Sequence, residues 1–387
     1  MARIAAGLPP GTRLTDHISL AVLMASYPIE TVHQVLQRTG RAGQRERDLP
    51  AHVMVYYAMA LALYADVSTR EVMRCLLEGV RWLGHPDAGT EPAGPSGISQ
   101  ARTRLGAGPL EQLYRAVVEP VAVEGTPGAF YRGWRVMSLD GTTLDAGDTT
   151  ANARAFGRPR RACGVNTTGA FPQLRLVGLV ETGTQVICGA QLGTCRTSEV
   201  ALAADVLPSL TGEMLCLAER GLLGFDFWRT ASATGAALVW RASATFTLPV
   251  LKRWADGSYR SELRWNPQCR SRDRTPMPVR VIVCTRPGAS GAKATYRVVT
   301  NILEATRAPA AELAVLYRER WEMETAFDEF KTHLRGAQRV LRSKTPELVR
   351  QEAWGFLLAH FAIRAVMHEA ALGRSRCVAI RRPGKVT

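Results

Sequence analysis

Three acidic residues stand where they could do chemistry: Asp140, Glu219 and Glu324. Asp140 follows the run Val136-Met-Ser-Leu139 and precedes Gly141-Thr142-Thr143, while Glu219 follows Met214-Leu-Cys-Leu-Ala218 and precedes Arg220-Gly221. Each sits where a short apolar strand ends, a place where most acids only cap turns but where a carboxylate can also project from a sheet edge. Glu324 lies in a long helical stretch, Glu312 to Leu334, free of Gly and Pro. Within it Tyr317, Arg320, Glu324 and Lys331 are offset by three, seven and fourteen residues. At about 100° per residue these four share roughly 60° of arc. This polar stripe borders an apolar one of Leu313, Leu316, Met323, Phe327, Phe330 and Leu334, so its side chains emerge at the rim of a core. Two strand acids and one helix acid are what a two-metal phosphoryl-transfer site requires, because paired Mg²⁺ ions take hard oxygen ligands and flank a scissile phosphate. Arg320 and Lys331 are charged donors suited to phosphate oxygens. The plainer alternative for the helix is a solvated face laced with spaced charges.

The elements that must position these acids follow from periodicity. Val136 to Leu139, Leu174 to Val180, Val186 to Leu192, Met214 to Ala218 and Ala237 to Trp240 read as strands. Two helices lie among them, one capped near Thr197-Ser198 and running to Leu207, the other from Phe225 to about Thr234, so the order predicts a mixed sheet with helices. Residues 245–303 carry three further β-like runs, 259–263, 279–284 and 296–299, and read as an all-β insertion. The first 128 residues read as helical. Ser68 and Glu71 form a capping box, and Gly40 stops the helix that Pro28-Ile29 opens. The segment Ser96 to Leu105 carries Arg102 and Arg104 and reads either as a DNA-contacting helix or as a surface helix with two arginines. The basic segment 374–387 has no periodicity and reads as a disordered tail.

Composition sets the outer bounds. At 387 residues, with 46% hydrophobic and 21% charged, the chain can bury a core of two or three structural units and is not of the disordered class. A net charge of +15 attracts polyanions, of which nucleic acid is the commonest. The eight cysteines form no Cys-x-x-Cys pair and no zinc-type cluster, which points to reduced thiols and a cytoplasmic location. No apolar run reaches the length of a membrane span, and no secretory signal is evident at the N-terminus.

The spacing of Tyr317, Arg320, Glu324 and Lys331 resembles the Tyr-Arg-Glu-Lys signature of the insertion-sequence-four family of DDE transposases. The flanking Arg320-Trp-Glu-Met-Glu324, the passage Leu139-Asp-Gly-Thr-Thr-Leu-Asp145, the run Asp148 to Arg158 and the block Leu215 to Phe225 are similar to the corresponding parts of that family. The resemblance covers most of residues 15–370. It implies a mixed α/β fold with an RNase H-like catalytic core at 129–244 and 304–373, a helical DNA-binding region at 1–128 and a β-rich insertion at 245–303. It further implies Asp140, Glu219 and Glu324 as catalytic acids and metal ligands, with two Mg²⁺ ions for which Mn²⁺ can substitute. By the same carry-over Tyr317, Arg320 and Lys331 contact DNA, the partners being terminal inverted repeats, target DNA and a second copy of the chain bound on DNA.

Two positions depart from the pattern. The family has Asp where this chain has Glu219, and the sequence beyond Gly373 no longer resembles it. Glutamate keeps the charge and the oxygen ligands, but its extra methylene moves the carboxylate by roughly 1 Å, which in a catalytic site can slow reaction on the order of 100-fold. The expectation is therefore a DNA transposase with weak or absent cleavage. A non-catalytic DNA-binding remnant and an RNase H-like structure-specific nuclease are the alternative readings.

Overall fold

The computed structural model describes residues 21–43, 49–64, 67–82, 93–159, 171–265, 273–287, 293–319 and 340–373. Its strands are β1 (Phe130–Tyr131), β2 (Trp134–Asp145), β3 (Gln173–Glu181), β4 (Ile187–Thr194), β5 (Met214–Ala218), β6 (Ala237–Ala242), β7 (Lys252–Arg253), β8 (Tyr259–Leu263), β9 (Met277–Pro287) and β10 (Lys293–Thr300). Its helices are α1 (Ile29–Arg38), α2 (Ala51–Leu63), α3 (Thr69–Trp82), α4 (Pro95–Leu105), α5 (Gly108–Val117), α6 (Thr150–Phe156), α7 (Glu199–Val206), α8 (Phe225–Ala233), α9 (Ala310–Glu319) and α10 (Pro346–Ala371). Among the described residues no helix is long and apolar enough to cross a membrane. The chain divides into two compact units, residues 1–118 with 145–155 and 330–387, and residues 119–144 with 156–329.

The second unit is built on one sheet in the order β4-β3-β2-β5-β6-β10-β9-β8-β7, with β1 paired to β2 off this path. β2, β5 and β6 run parallel, and β5 is apolar at every position, as a strand covered on both faces must be. Alternation then divides the core in two. Met137, Leu139, Cys216, Ala218, Leu238 and Trp240 pack with residues of α7 and α8. Trp134, Val136, Leu215, Leu217 and Val239 pack with Leu313, Leu316 and Tyr317 of α9.

The β-rich segment at 245–303, read as an insertion in the sequence, lengthens this sheet. β10 pairs antiparallel with β6, from Arg297 against Ala242 to Thr300 against Val239, and β9, β8 and β7 follow outward. Period-2 alternation specifies strands and their inward face, but an insertion and a sheet extension carry the same alternation.

The first unit is helical. α2 has no polar face and is buried from Met54 to Ala62, and α10 packs against it. Pro346 occupies the first turn of α10 and Thr345 caps it by accepting from the Leu348 N–H. At the crossing, a Cβ on Gly355 would lie 2.4 Å from the Ala58 carbonyl oxygen, so only glycine permits the approach. α10 thus packs within the helical unit, whereas α9, from the same 304–373 segment, packs on the sheet. Arg102, one of two arginines weighed as DNA contacts, is buried here. It donates to Gln351 Oε1 at 2.8 Å, to Ser343 Oγ at 2.9 Å and to the Leu348 carbonyl at 3.3 Å, and so ties α4 to α10. The polar face read from the local sequence was answered from 240 or more residues away.

Candidate active site

Parallel pairing sets Leu139 of β2 opposite Ala218 of β5. The next residue in each case is an acid, Asp140 within β2 and Glu219 just past the end of β5, so the two leave the last paired rung side by side. Glu199, the first residue of α7, completes a group. Asp140, Glu199 and Glu219 each offer one carboxylate oxygen, and these atoms lie within 4.8 Å of one another. The extra methylene of Glu219 therefore leaves its carboxylate in the cluster. Asp140 Oδ1 accepts from the Gly141 N–H at 2.8 Å.

Glu199 reaches the cluster by two local devices. Ser198 caps α7 by accepting from the Ala201 N–H at 3.2 Å, which fixes where the helix starts. A Cβ on Gly141 would then lie 2.7 Å from Glu199 Cδ, so the absent side chain leaves room for this carboxylate beside β2. Burial, then the charges of Asp140 and Glu219, push the Glu199 carboxyl above its ordinary range, against the pull of Arg175. Its Oε1 is buried without a hydrogen-bond partner among the described residues.

Glu181 shows the contrast in the same unit. That fully buried carboxylate is paired with Arg135 and accepts from Thr184 and from the N–H groups of Val121 and Ala122, so internal donors answer its charge. At Asp140, Glu199 and Glu219 three acids converge instead. Hard oxygen ligands at this separation suit a divalent cation, which would replace their mutual repulsion with attraction.

Tyr317 lies near this end of the sheet. Its ring is only 3% exposed, and its hydroxyl donates to the Ala218 carbonyl at 3.2 Å, next to Glu219. Spacing placed Tyr317 on the polar stripe of its helix; the ring instead joins the apolar side with Leu313 and Leu316. Arg320, Glu324 and Lys331 lie outside the described residues. Glu199 was not singled out from the sequence, where an acid in a first helical turn reads as a partner for the helix dipole.

A family model described as "Transposase DDE domain" matches residues 132–362. A second, "Insertion element 4 transposase N-terminal", matches residues 17–115. The chain is 27% identical over 350 residues to "Transposase InsG for insertion sequence element IS4" of Escherichia coli strain K12, covering 88% of this chain and 75% of that one. It is 24% identical over 213 residues to "Putative transposase InsZ" of the same organism, covering 55% and 68%. Among solved structures it is similar to a cryo-EM structure of the piggyBac transposase synaptic complex with hairpin DNA. That similarity has a TM-score of 0.46 and 8% sequence identity, over 95% of this chain and 79% of the other.

Proposed function

We propose that this chain, which belongs to the insertion element 4 family of DDE transposases, binds the terminal inverted repeats of its element and moves that element through the cluster at Asp140 and Glu219. Transposase activity and a need for divalent metal ions are those of the family. The observation that carries the finer reading is the convergence of carboxylates from two adjacent parallel strands.

Divalent cations held there supply charge neutralisation and polarise the oxygens of the scissile phosphate, two Mg²⁺ ions being our reading and Mn²⁺ a substitute. The chain's own part is positioning. Asp140 and Glu219 are fixed by sheet register, Glu324 is the third acid, and Arg320 and Lys331 donate to backbone phosphates of the bound end. The buried Tyr317 supports the strand end that carries Glu219. Water attacks phosphorus and the 3′ oxygen leaves as a hydroxyl. That hydroxyl then attacks a second phosphodiester, forming one P–O bond as another breaks. The +15 charge favours a long DNA footprint, and two copies assembling on paired ends would bring both reactions together.

A second reading, a copy that binds ends without cutting them, is favoured by Glu219 in place of the family's Asp and opposed by the arrival of that carboxylate in the cluster. Strand cleavage on a duplex bearing the element's end separates the two. Cleavage that requires divalent metal and vanishes in Asp140→Asn, with end binding retained, supports the transposase; binding without cleavage in the parent chain supports the remnant.

A further inference from the structure

The third carboxylate of the cluster is not one of the three acids that the family pattern supplies. We propose that Glu199 is a further ligand of the metal centre, holding the same cation as Asp140 and Glu219; this rests on the reading of that cluster as the transposase's metal site.

Three observations support the assignment. The first is proximity, with a Glu199 oxygen in the group that spans 4.8 Å. The second is clearance: the sequence places glycine at 141, where any Cβ would lie 2.7 Å from Glu199 Cδ. The third is an unanswered acceptor. Glu199 Oε1 is buried with no donor among the described residues, whereas the buried Glu181 is surrounded by donors. A glutamate in the first turn of a surface helix gains from the helix dipole while remaining in water. Glu199 instead turns its carboxylate toward two other acids, an arrangement that a divalent cation stabilises and that repulsion otherwise opposes. It approaches from α7, which packs on the face of the sheet opposite to α9.

The test measures metal rather than turnover. Mn²⁺ binding to the full chain is followed by electron paramagnetic resonance and by the rise in melting temperature on adding Mn²⁺ to protein stripped with EDTA. Glu199→Gln keeps shape and removes charge. It should weaken Mn²⁺ binding at least about tenfold, the lower end of what even outer-sphere partners contribute. In EDTA it should melt no lower than the parent, which excludes misfolding as the cause. Glu199→Asp should lie between the two, because it keeps the charge and shortens the reach. Unchanged Mn²⁺ affinity in Glu199→Gln, alongside a loss in Asp140→Asn, overturns the assignment while leaving the centre intact. Unchanged affinity in both variants contradicts the centre itself. A Glu199→Gln protein that melts lower in EDTA, with Mn²⁺ affinity equal to that of the parent, marks Glu199 as structural and also overturns the assignment.

Discussion

Asp140 and Glu219 each follow one member of a paired position, Leu139 opposite Ala218, on two adjacent parallel strands. The relationship is a property of sheet register: a slip of one residue would exchange which side chains face the core and would separate the two acids. Register in turn is held by burial, since Met137, Leu139, Cys216 and Ala218 all face one apolar cluster.

Gly141 should be as specific a determinant as the acids beside it. In Gly141→Ala the nearest atoms the new methyl meets are at the movable end of Glu199, so the fold should survive while Glu199 is displaced. The expected result is an unchanged melting temperature in EDTA with a smaller rise on adding Mn²⁺. A rise equal to that of the parent would show that Glu199 has no need of this space.

Tyr317→Phe removes the donor to the Ala218 carbonyl and should lower stability by about 1 kcal/mol. Because that carbonyl precedes Glu219, cleavage per bound complex should fall while affinity for end DNA holds. Lost DNA affinity with unchanged cleavage per complex would instead make Tyr317 a DNA contact.

Arg102→Met should destabilise the protein by about 3 kcal/mol, because Gln351, Ser343 and the Leu348 carbonyl lose a charged donor. The salt dependence of DNA binding should not change, since a buried guanidinium neutralises no phosphate. A shallower salt dependence at full stability would return Arg102 to the DNA interface.

Binding of duplex DNA by the parent chain should weaken linearly in log–log terms with added salt, as each phosphate neutralised by its surplus of basic residues releases counterions. Affinity that stays flat from low to moderate salt would remove the electrostatic account of the +15 charge.

Individual elements were legible in the sequence because their signals are local. Apolar runs marked β2 to β6, Ser198 marked the start of α7, and alternation marked β8 to β10. Features that depend on distant partners were not. Nothing near residue 300 says that β10 will pair with β6, and nothing near Arg102 announces Gln351. Tyr317 lies one residue from Leu316 and four from Leu313, so it borders both stripes of its helix, and only packing decides which side takes the ring. Asp140 and Glu219 could be found as acids following apolar runs. Only Glu219 stands at a strand end, however, and β2 continues past Asp140 to Asp145, because the largely polar residues 140–145 carry no apolar strand signal. Glu199 had no such marker, because its function depends on a glycine in another element.

Glu219 stands in place of an aspartate, and the metal centre requires it as a ligand. Strand cleavage of an end-bearing duplex in Mg²⁺ should be compared for the parent, Glu219→Asp and Glu219→Ala, with DNA binding measured in parallel. The parent should cut, and Glu219→Ala should bind DNA equally well but cut at least about 100-fold more slowly, as loss of a positioned catalytic group does. Glu219→Asp should retain metal-dependent cleavage. Glu219→Ala cutting as fast as the parent in Mg²⁺ would contradict the assignment of this carboxylate to the metal centre.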